Sequence, residues 1–439
     1  MDESTAPPPS LNNAGPAANR TSNLVIGGWA TLWLMACAHM PKYAVFQGMQ
    51  AILLPTQVAN ASTGDKVVGF GLVAALGALA AALVNPIAGR WSDRTRSHWG
   101  RRTPWLVGSS LLALVALLML AGMPSVLGIG IAYFIVMAVM GTFEATLAAV
   151  LPDRVRPARL GLASAVVGGA SSVGILIGVN LAARLVDQMW LAYGLLGLAM
   201  VLGTLVFVVV RPDPSRRGGP GILKHEDEAP AGPSDPAPAQ SGFLSALRDH
   251  DFRWAFLARV TMMIGLFTAH TYLLYTLTDY IGADQLPGRD PTAASALIAT
   301  INMSAALVAM VVFGPLSDRL GRRKVFVVGA SLGGAAAAVI PLLSPTWPGM
   351  VALGVVGGLT YGCYVATDQA IMVAVLPSSR DHARDLGLLQ IASTGPQVMG
   401  PVVAAALISL FGGYAALFAF CAIAYVAAGL AILPIRKVR

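Results

Sequence analysis

The chain is 439 residues long, 56% apolar and only 11% charged, with a formal net charge of +8 and a mean hydropathy of +0.69. Soluble domains carry about 25% charged residues, so this composition excludes a soluble enzyme, and its apolar content excludes a disordered chain. The three cysteines, Cys37, Cys363 and Cys421, each lie inside an apolar run, which excludes a disulfide scaffold.

In chain order, residues 1–22 are rich in Pro, Ala, Ser and Asn and begin with acidic Asp2 and Glu3, which reads as a disordered tail and not as a secretory signal. Twelve apolar stretches of the ~20 residues that cross a bilayer follow. They run over 24–52, 67–89, 104–123, 126–150, 160–185 and 189–210, then 253–281, 293–315, 324–343, 347–375, 384–410 and 412–435. Residues 211–250 between the two sets of six are rich in Pro, Gly, Ser and charge, a linker composition. The predicted organisation is therefore a tail (1–22), a six-helix bundle (23–210), a linker (211–250) and a second six-helix bundle (251–439), in an all-α membrane protein.

Of the 29 Lys and Arg residues, 24 fall on one side of this arrangement, while Lys66, Arg184 and Arg289 fall on the other and Lys42 and Arg259 lie inside spans. By the positive-inside rule both termini and the linker are cytoplasmic. The basic residues thus serve topology in a multi-pass protein of the cell membrane, and nothing in their placement asks for nucleic acid. No His, Cys and Asp cluster has metal spacing, no glycine-rich phosphate loop opens a helix and no catalytic triad is grouped, so no enzyme and no cofactor is expected.

The halves repeat. GRWSDRTRSHWGRR begins at Gly89 and GPLSDRLGRR at Gly314, an offset of 225 that also relates AAVLP ending at Pro152 to VAVLP ending at Pro377, and Trp29-Ala30 to Trp254-Ala255. Six spans return the chain to its starting side, so the copies are parallel. Gly89, Asp93, Arg94, Arg101 and Arg102, repeated as Gly314, Asp318, Arg319, Arg322 and Arg323, resemble the GxxxDRxGRR signature of the major facilitator superfamily. The resemblance covers the whole chain and implies two pseudo-symmetric six-helix bundles, alternating access, a small-molecule substrate and a monomer in the lipid bilayer. It also implies that the aspartates and arginines of both loops form a cytoplasmic latch. The longer first loop, DRTRSHWGRRTPW, is similar to that of the sucrose/proton and the glycoside-pentoside-hexuronide cation symporters.

A charge inside a bilayer costs at least ~2.5 kcal/mol and asks for a partner or a function. His39, Lys42, Glu144, Arg259, His270 and Asp368 qualify, and they lie in spans 1, 4, 7 and 10, which line the central cavity in the family. Glu144 precedes Pro152 by eight residues and Asp368 precedes Pro377 by nine, which puts each about 12 to 14 Å from its cytoplasmic end. His39 and Lys42 share one face of span 1, with Pro41 between them as a kink site. The expected pairs are Lys42 with Glu144 and His270 with Asp368; Arg259 either joins the central charges or snorkels to the interface. Such carboxylates suit a proton as coupling ion, and span 2, where melibiose-type members keep acidic sodium ligands, has none between Val67 and Gly89.

Trp33, Tyr43 and Gln47 in span 1, Tyr272 and Tyr275 in span 7, and Tyr361, Tyr364 and Gln369 in span 10 are expected to furnish the cavity with flat apolar faces and hydrogen-bonding groups. That combination fits a sugar or glycoside. Span 5 reads GGASSVGILIG, without the Gly-Pro pair common in drug/proton antiporters, whereas span 11 contains GPQVMGP. The reading is proton-coupled symport; the alternatives are export of a drug or secondary metabolite by antiport, and a non-transporting membrane receptor.

Overall fold

A computed structural model describes residues 29–95, 97, 99, 102–148, 150, 160–210, 247–375, 382–411 and 413–436. The predicted tail and all but the last few residues of the predicted linker lie outside these. The described residues form twelve long helices: α1 (Trp29–Gly48), α2 (Lys66–Arg94), α3 (Thr103–Ala121), α4 (Val126–Ala148), α5 (Leu160–Arg184), α6 (Met189–Val210), α7 (His250–Thr271), α8 (Pro291–Leu320), α9 (Arg323–Leu343), α10 (Trp347–Val375), α11 (His382–Leu410) and α12 (Tyr414–Ile432). No strand occurs among them. Ten of the twelve are long and apolar enough to cross a membrane by composition alone. The remaining two are α1, which carries His39 and Lys42, and α11, in which Gly395–Leu410 is an apolar stretch. Leu72, Leu127, Val311 and Leu410 are among many large apolar side chains facing outward, as lipid contact requires.

Helix packing repeats with the sequence. In the first half α1 packs on α5 and α6, α4 on α2 and α3, and α3 on α6; in the second α7 packs on α11 and α12, α10 on α8 and α9, and α9 on α12. The halves meet through α2 against α11 and α5 against α8, two contacts exchanged by the same pseudo-twofold relation. Small residues permit the closest crossings. A Cβ on Gly178 of α5 would run into the backbone carbonyl of Ala44 in α1, and one on Gly362 of α10 into that of Ala306 in α8.

Capping and irregular backbone obey the offset of 225 as well. Asp65 accepts the N–H groups of Val67 (2.8 Å) and Val68 (3.4 Å) at the start of α2, and Asp290 accepts those of Thr292 (2.9 Å) and Ala293 (3.1 Å) at the start of α8. These satisfy backbone donors that the helix leaves unpaired. α1 continues through a π-helical turn, Met49–Leu53, into a short helix, Leu54–Ala61. Pro55 explains the wide turn, because its ring would otherwise press on the carbonyl four residues back, inside that turn. α7 breaks at Tyr272, continues over Leu273–Tyr275 and passes into a π segment, Thr276–Gly282, which overlaps the repeat image of the first. Gly321, with φ +59°, ends α8 in the left-handed conformation that glycine adopts without strain.

Candidate central site and far-end closure

The end that carries the arginine-rich α2–α3 and α8–α9 loops is here called the basic end, and the opposite one the far end. Two ion pairs sit between them. In the first half Lys42 Nζ bonds Glu144 Oε2, joining α1 to α4. The Lys42 side chain is 7% exposed and that of Glu144 41%, so the ammonium is shut in while its carboxylate is open. The ammonium also lies over the Tyr43 ring, 3.7 Å from the centroid. His39, one turn earlier, is buried, and its Nδ1 has no hydrogen-bond partner.

In the second half Arg259 Nη1 stands 3.3 Å from Asp368 Oδ2, joining α7 to α10, with side chains 13% and 5% exposed. Arg259 therefore does not snorkel, and the expected pair of Asp368 with His270 does not form. Depth explains both results: His270 lies eleven residues beyond Arg259, about 16 Å further along the same helix. Asp368, reckoned from its own helix end, is level with Arg259. The His270 side chain is exposed. Its Nδ1 contacts the carbonyl of Leu266 (3.0 Å), and its ring is hydrogen-bonded to Asn302 of α8. Asn302 in turn donates to the carbonyl of Gly354 (3.2 Å).

Of the predicted cavity residues, Tyr43 and Tyr361 are half-buried, and the Lys42 ammonium covers the Tyr43 ring. Tyr364 is buried beside Asp368 and Arg259. Trp33 is 65% exposed near the start of α1, Gln47 is half-buried on the same helix, and the Gln369 side chain lies outside the described residues.

Tyr272 and Tyr275 do not line the cavity. Both are fully buried at the far end, where Tyr272 donates to the carbonyl of Val67 (2.9 Å) and Tyr275 to that of Pro55 (2.7 Å). Each bond ties α7 to the other half, and the two rings pack edge to face on Phe70. The break at Tyr272 changes the helical phase at that point and turns both side chains away from the face that carries Arg259.

Around these tyrosines lie further charged and polar groups at the ends of the spans. Lys66 Nζ pairs with Asp279 Oδ1 (2.7 Å) across the halves, and Asp279 Oδ2 accepts from Tyr414 (2.8 Å). Ser409 donates to Asp65 Oδ2 (3.4 Å), and deeper in, Asn180 of α5 donates to Thr300 of α8 (2.9 Å). Asp279 falls near the end of predicted span 7, and its one sequence signal is an acidic residue in an otherwise apolar stretch. A Cβ on Gly71 of α2 would lie 2.7 Å from that of Ala405 in α11, so the halves are in direct contact there.

At the basic end the second loop bonds within itself: Arg323 Nη2 donates to Asp318 (2.9 Å), with both side chains in contact with solvent and Arg319 and Arg322 exposed. The expected latch across the bundle is thus not engaged at Asp318. Lys324 caps the end of α12, donating to the carbonyls of Leu433 and Ile435 (the latter at 3.0 Å). Gly314 ends the apolar part of α8, and Arg102 is buried at the start of α3. Gly89, Asp93 and Arg94 form the last turns of α2, their side chains outside the described residues, as is Arg101 altogether. Among the described residues no group of three or more His, Cys, Asp or Glu is placed to hold a metal ion.

The arrangement of helices is similar to that of several solved transporters. A peptide transporter of the POT type in complex with sulfate superposes with a TM-score of 0.72 at 15% identity, over 94% of this chain and 97% of that one. The nucleoside transporter NupG gives 0.70 at 12% identity, over 92% and 99%. A bacterial homologue of the human lysosomal transporter Spinster, solved inward-facing and unoccupied, gives 0.64 at 13% identity, over 92% and 94%. At these identities the likeness is one of fold. An uncharacterised symporter of Synechocystis sp. is 49% identical over 41 residues, 9% of this chain and 8% of that relative's length. The model of the MFS/sugar transport protein family matches residues 60–378, most of the chain from the start of α2 through α10. Two repeated six-helix bundles, charges on α1, α4, α7 and α10, and this match together establish that the chain is a multi-pass membrane transporter of the major facilitator superfamily and belongs to its MFS/sugar transport family.

Proposed function

We propose that the chain is a proton-coupled symporter of a sugar or glycoside that works by alternating access, with the basic end and both termini in the cytoplasm. The observation that carries this reading is one charged pair per half, on the first and fourth helices of each, with unequal access. Glu144 is open to solvent and Asp368 is shut. A carboxylate that alternates between an ion pair and a proton is a carrier of one charge, and burying it while still ionised and unpaired is costly.

In the state described, the far end is closed by Tyr272, Tyr275 and the Lys66–Asp279 pair, and Asp318 is bonded within its own loop. On this reading the closed far end makes the basic side the open one in this state. The return stroke breaks the far-end bonds and engages the latches, and the protonation of Glu144 and Asp368 sets which arrangement is favoured. Tyr43 of α1 and Tyr361 of α10, both half-buried, offer ring faces for a pyranose; His270 and Asn302 offer hydrogen bonds to its hydroxyls.

Labelled-glycoside uptake into proteoliposomes tests the proposal. An outward-acid gradient should drive accumulation of at least one neutral or acidic glycoside. Absence of gradient-driven uptake for every sugar in a broad panel, with proton-driven efflux of dyes instead, would overturn it in favour of antiport.

A further inference from the structure

A groove opens toward the lipid where α2 of the first half meets α11 of the second. Leu72 and Leu410 stand out from the protein on either side of it, and its floor is made of Gly71, Ala405 and Ala406. It encloses about 250 Å³, and its lining is apolar apart from Ser409. Beneath the floor the halves are already in contact, since a Cβ on Gly71 would lie 2.7 Å from that of Ala405. An empty hollow forfeits dispersion contacts along all its walls, so the acyl chains that surround a membrane span fill this one.

Lipid tails are as apolar as leucine, so no hydrophobic gain draws a chain out of the bilayer into the groove. Shape holds the chain, and the mouth selects the lipid. There the exposed Ser409 donates to Oδ2 of Asp65 across the halves, at 3.4 Å. Oδ1 of Asp65 is taken up by the N–H groups of Val67 and Val68, whereas the bond to Oδ2 is long and the residue is exposed. Lys66, the neighbouring cation, is engaged by Asp279, so these three residues leave one net negative charge at the mouth. An anionic headgroup is repelled there. A choline has no N–H to give, but a primary ammonium can donate a charge-assisted hydrogen bond to the carboxylate.

We infer that this groove binds one phospholipid of the far-end leaflet, with an acyl chain between α2 and α11 and a primary-ammonium headgroup on Asp65. The two walls, and the Asp65–Ser409 bond at the mouth, each join opposite halves of the transporter. The site therefore exists while the far end is closed and is divided when it opens. A ligand that binds one state alone shifts the population toward it, so this lipid holds the far end shut whatever solute is carried.

The test uses the purified full-length chain in nanodiscs of phosphatidylcholine that contain either phosphatidylethanolamine or phosphatidylglycerol. Val67→Cys, on a background without Cys37, Cys363 and Cys421, reports closure, because Val67 is buried where Tyr272 crosses between the halves. Its alkylation by a maleimide should be several-fold slower with phosphatidylethanolamine. Native mass spectrometry of the detergent-extracted wild type should find that lipid retained in preference to phosphatidylglycerol. Asp65→Asn, which keeps a helix-capping side chain and loses the charge, should abolish both preferences. Ala406→Leu, which fills the groove, should release the lipid and speed alkylation to the rate seen with phosphatidylglycerol. Equal alkylation in the two lipids would overturn the state dependence. Lipid retention by Ala406→Leu at the wild-type level would overturn the site, and equal retention of both lipids by the wild type, or a preference that survives in Asp65→Asn, would overturn the headgroup assignment.

Discussion

Removing one member of the Arg259–Asp368 pair should damage the protein more than removing both. The side chains are 13% and 5% exposed and 3.3 Å apart, so solvent screens their attraction weakly. At an effective dielectric constant near 20 that attraction is roughly 5 kcal/mol, and each charge has already lost its hydration. Deleting a partner strands the other, at a cost of about 3 to 5 kcal/mol. The two deletions are unequal: a stranded aspartate can be neutralised by a proton, whereas a stranded guanidinium keeps its charge, so Asp368→Leu should cost more than Arg259→Met. The double variant, apolar at both positions, should recover most of the loss, with a coupling of at least ~2 kcal/mol. Unfolding of the detergent-solubilised variants, followed by the fluorescence of the eight tryptophans, measures all four corners of the cycle. As a control, the Lys66–Asp279 pair, 33% and 28% exposed, should give a coupling below about 1 kcal/mol. Additive losses under ~1 kcal/mol each at Arg259 and Asp368 would show that the two charges do not meet inside the membrane.

Two further outcomes follow from the geometry. Gly71→Cys combined with Ala405→Cys, on a background without Cys37, Cys363 and Cys421, places two sulfurs across the halves where their Cβ atoms are within disulfide range after a small relaxation from 2.7 Å. Oxidation should stop transport and reductant restore it, and transport that continues through a formed cross-link would refute the closure of the far end. Asp290→Ala at the start of α8 should cost about 1 kcal/mol of stability at neutral pH. Burial pushes the Asp290 carboxyl up, but the hydroxyl of Thr292 and the N–H groups of Ala293 and Thr292 outweigh it and hold the group below its ordinary value. The stabilisation is therefore present above the unfolded carboxylate range and lost as pH falls through the lower folded value. A wild-type to Asp290→Ala stability difference that fails to shrink in acid would contradict this.

The repeat made most of the fold legible. The offset of 225 seen in the two signature loops also relates the Asp65 and Asp290 caps and the paired π segments, features set by local sequence. Depth along a helix was legible too, because the rise per residue is fixed, and it is depth that joins Arg259 to Asp368 and separates His270 from it. Rotation about the helix axis was not. Helices that are apolar all round carry no amphipathic stripe to fix their facing, and the broken backbone at Tyr272 turned Tyr272 and Tyr275 toward α2 and Pro55 and away from the cavity. Asp279 and Lys66 were obscure for another reason. They sit in different copies of the sequence repeat, in stretches that read as span termini, and only their meeting across the halves gives them a role.

The carboxylates of the two central pairs, Glu144 and Asp368, are proposed to couple proton movement to solute movement. Uptake of a labelled glycoside that the wild type carries, compared with equilibrium exchange of the same solute across proteoliposomes of wild type, Glu144→Gln and Asp368→Asn, tests it most directly. An acid-outside gradient should drive accumulation by the wild type, and at least one of the two variants should lose accumulation while still exchanging solute. Gradient-driven accumulation at wild-type levels in both variants would contradict it.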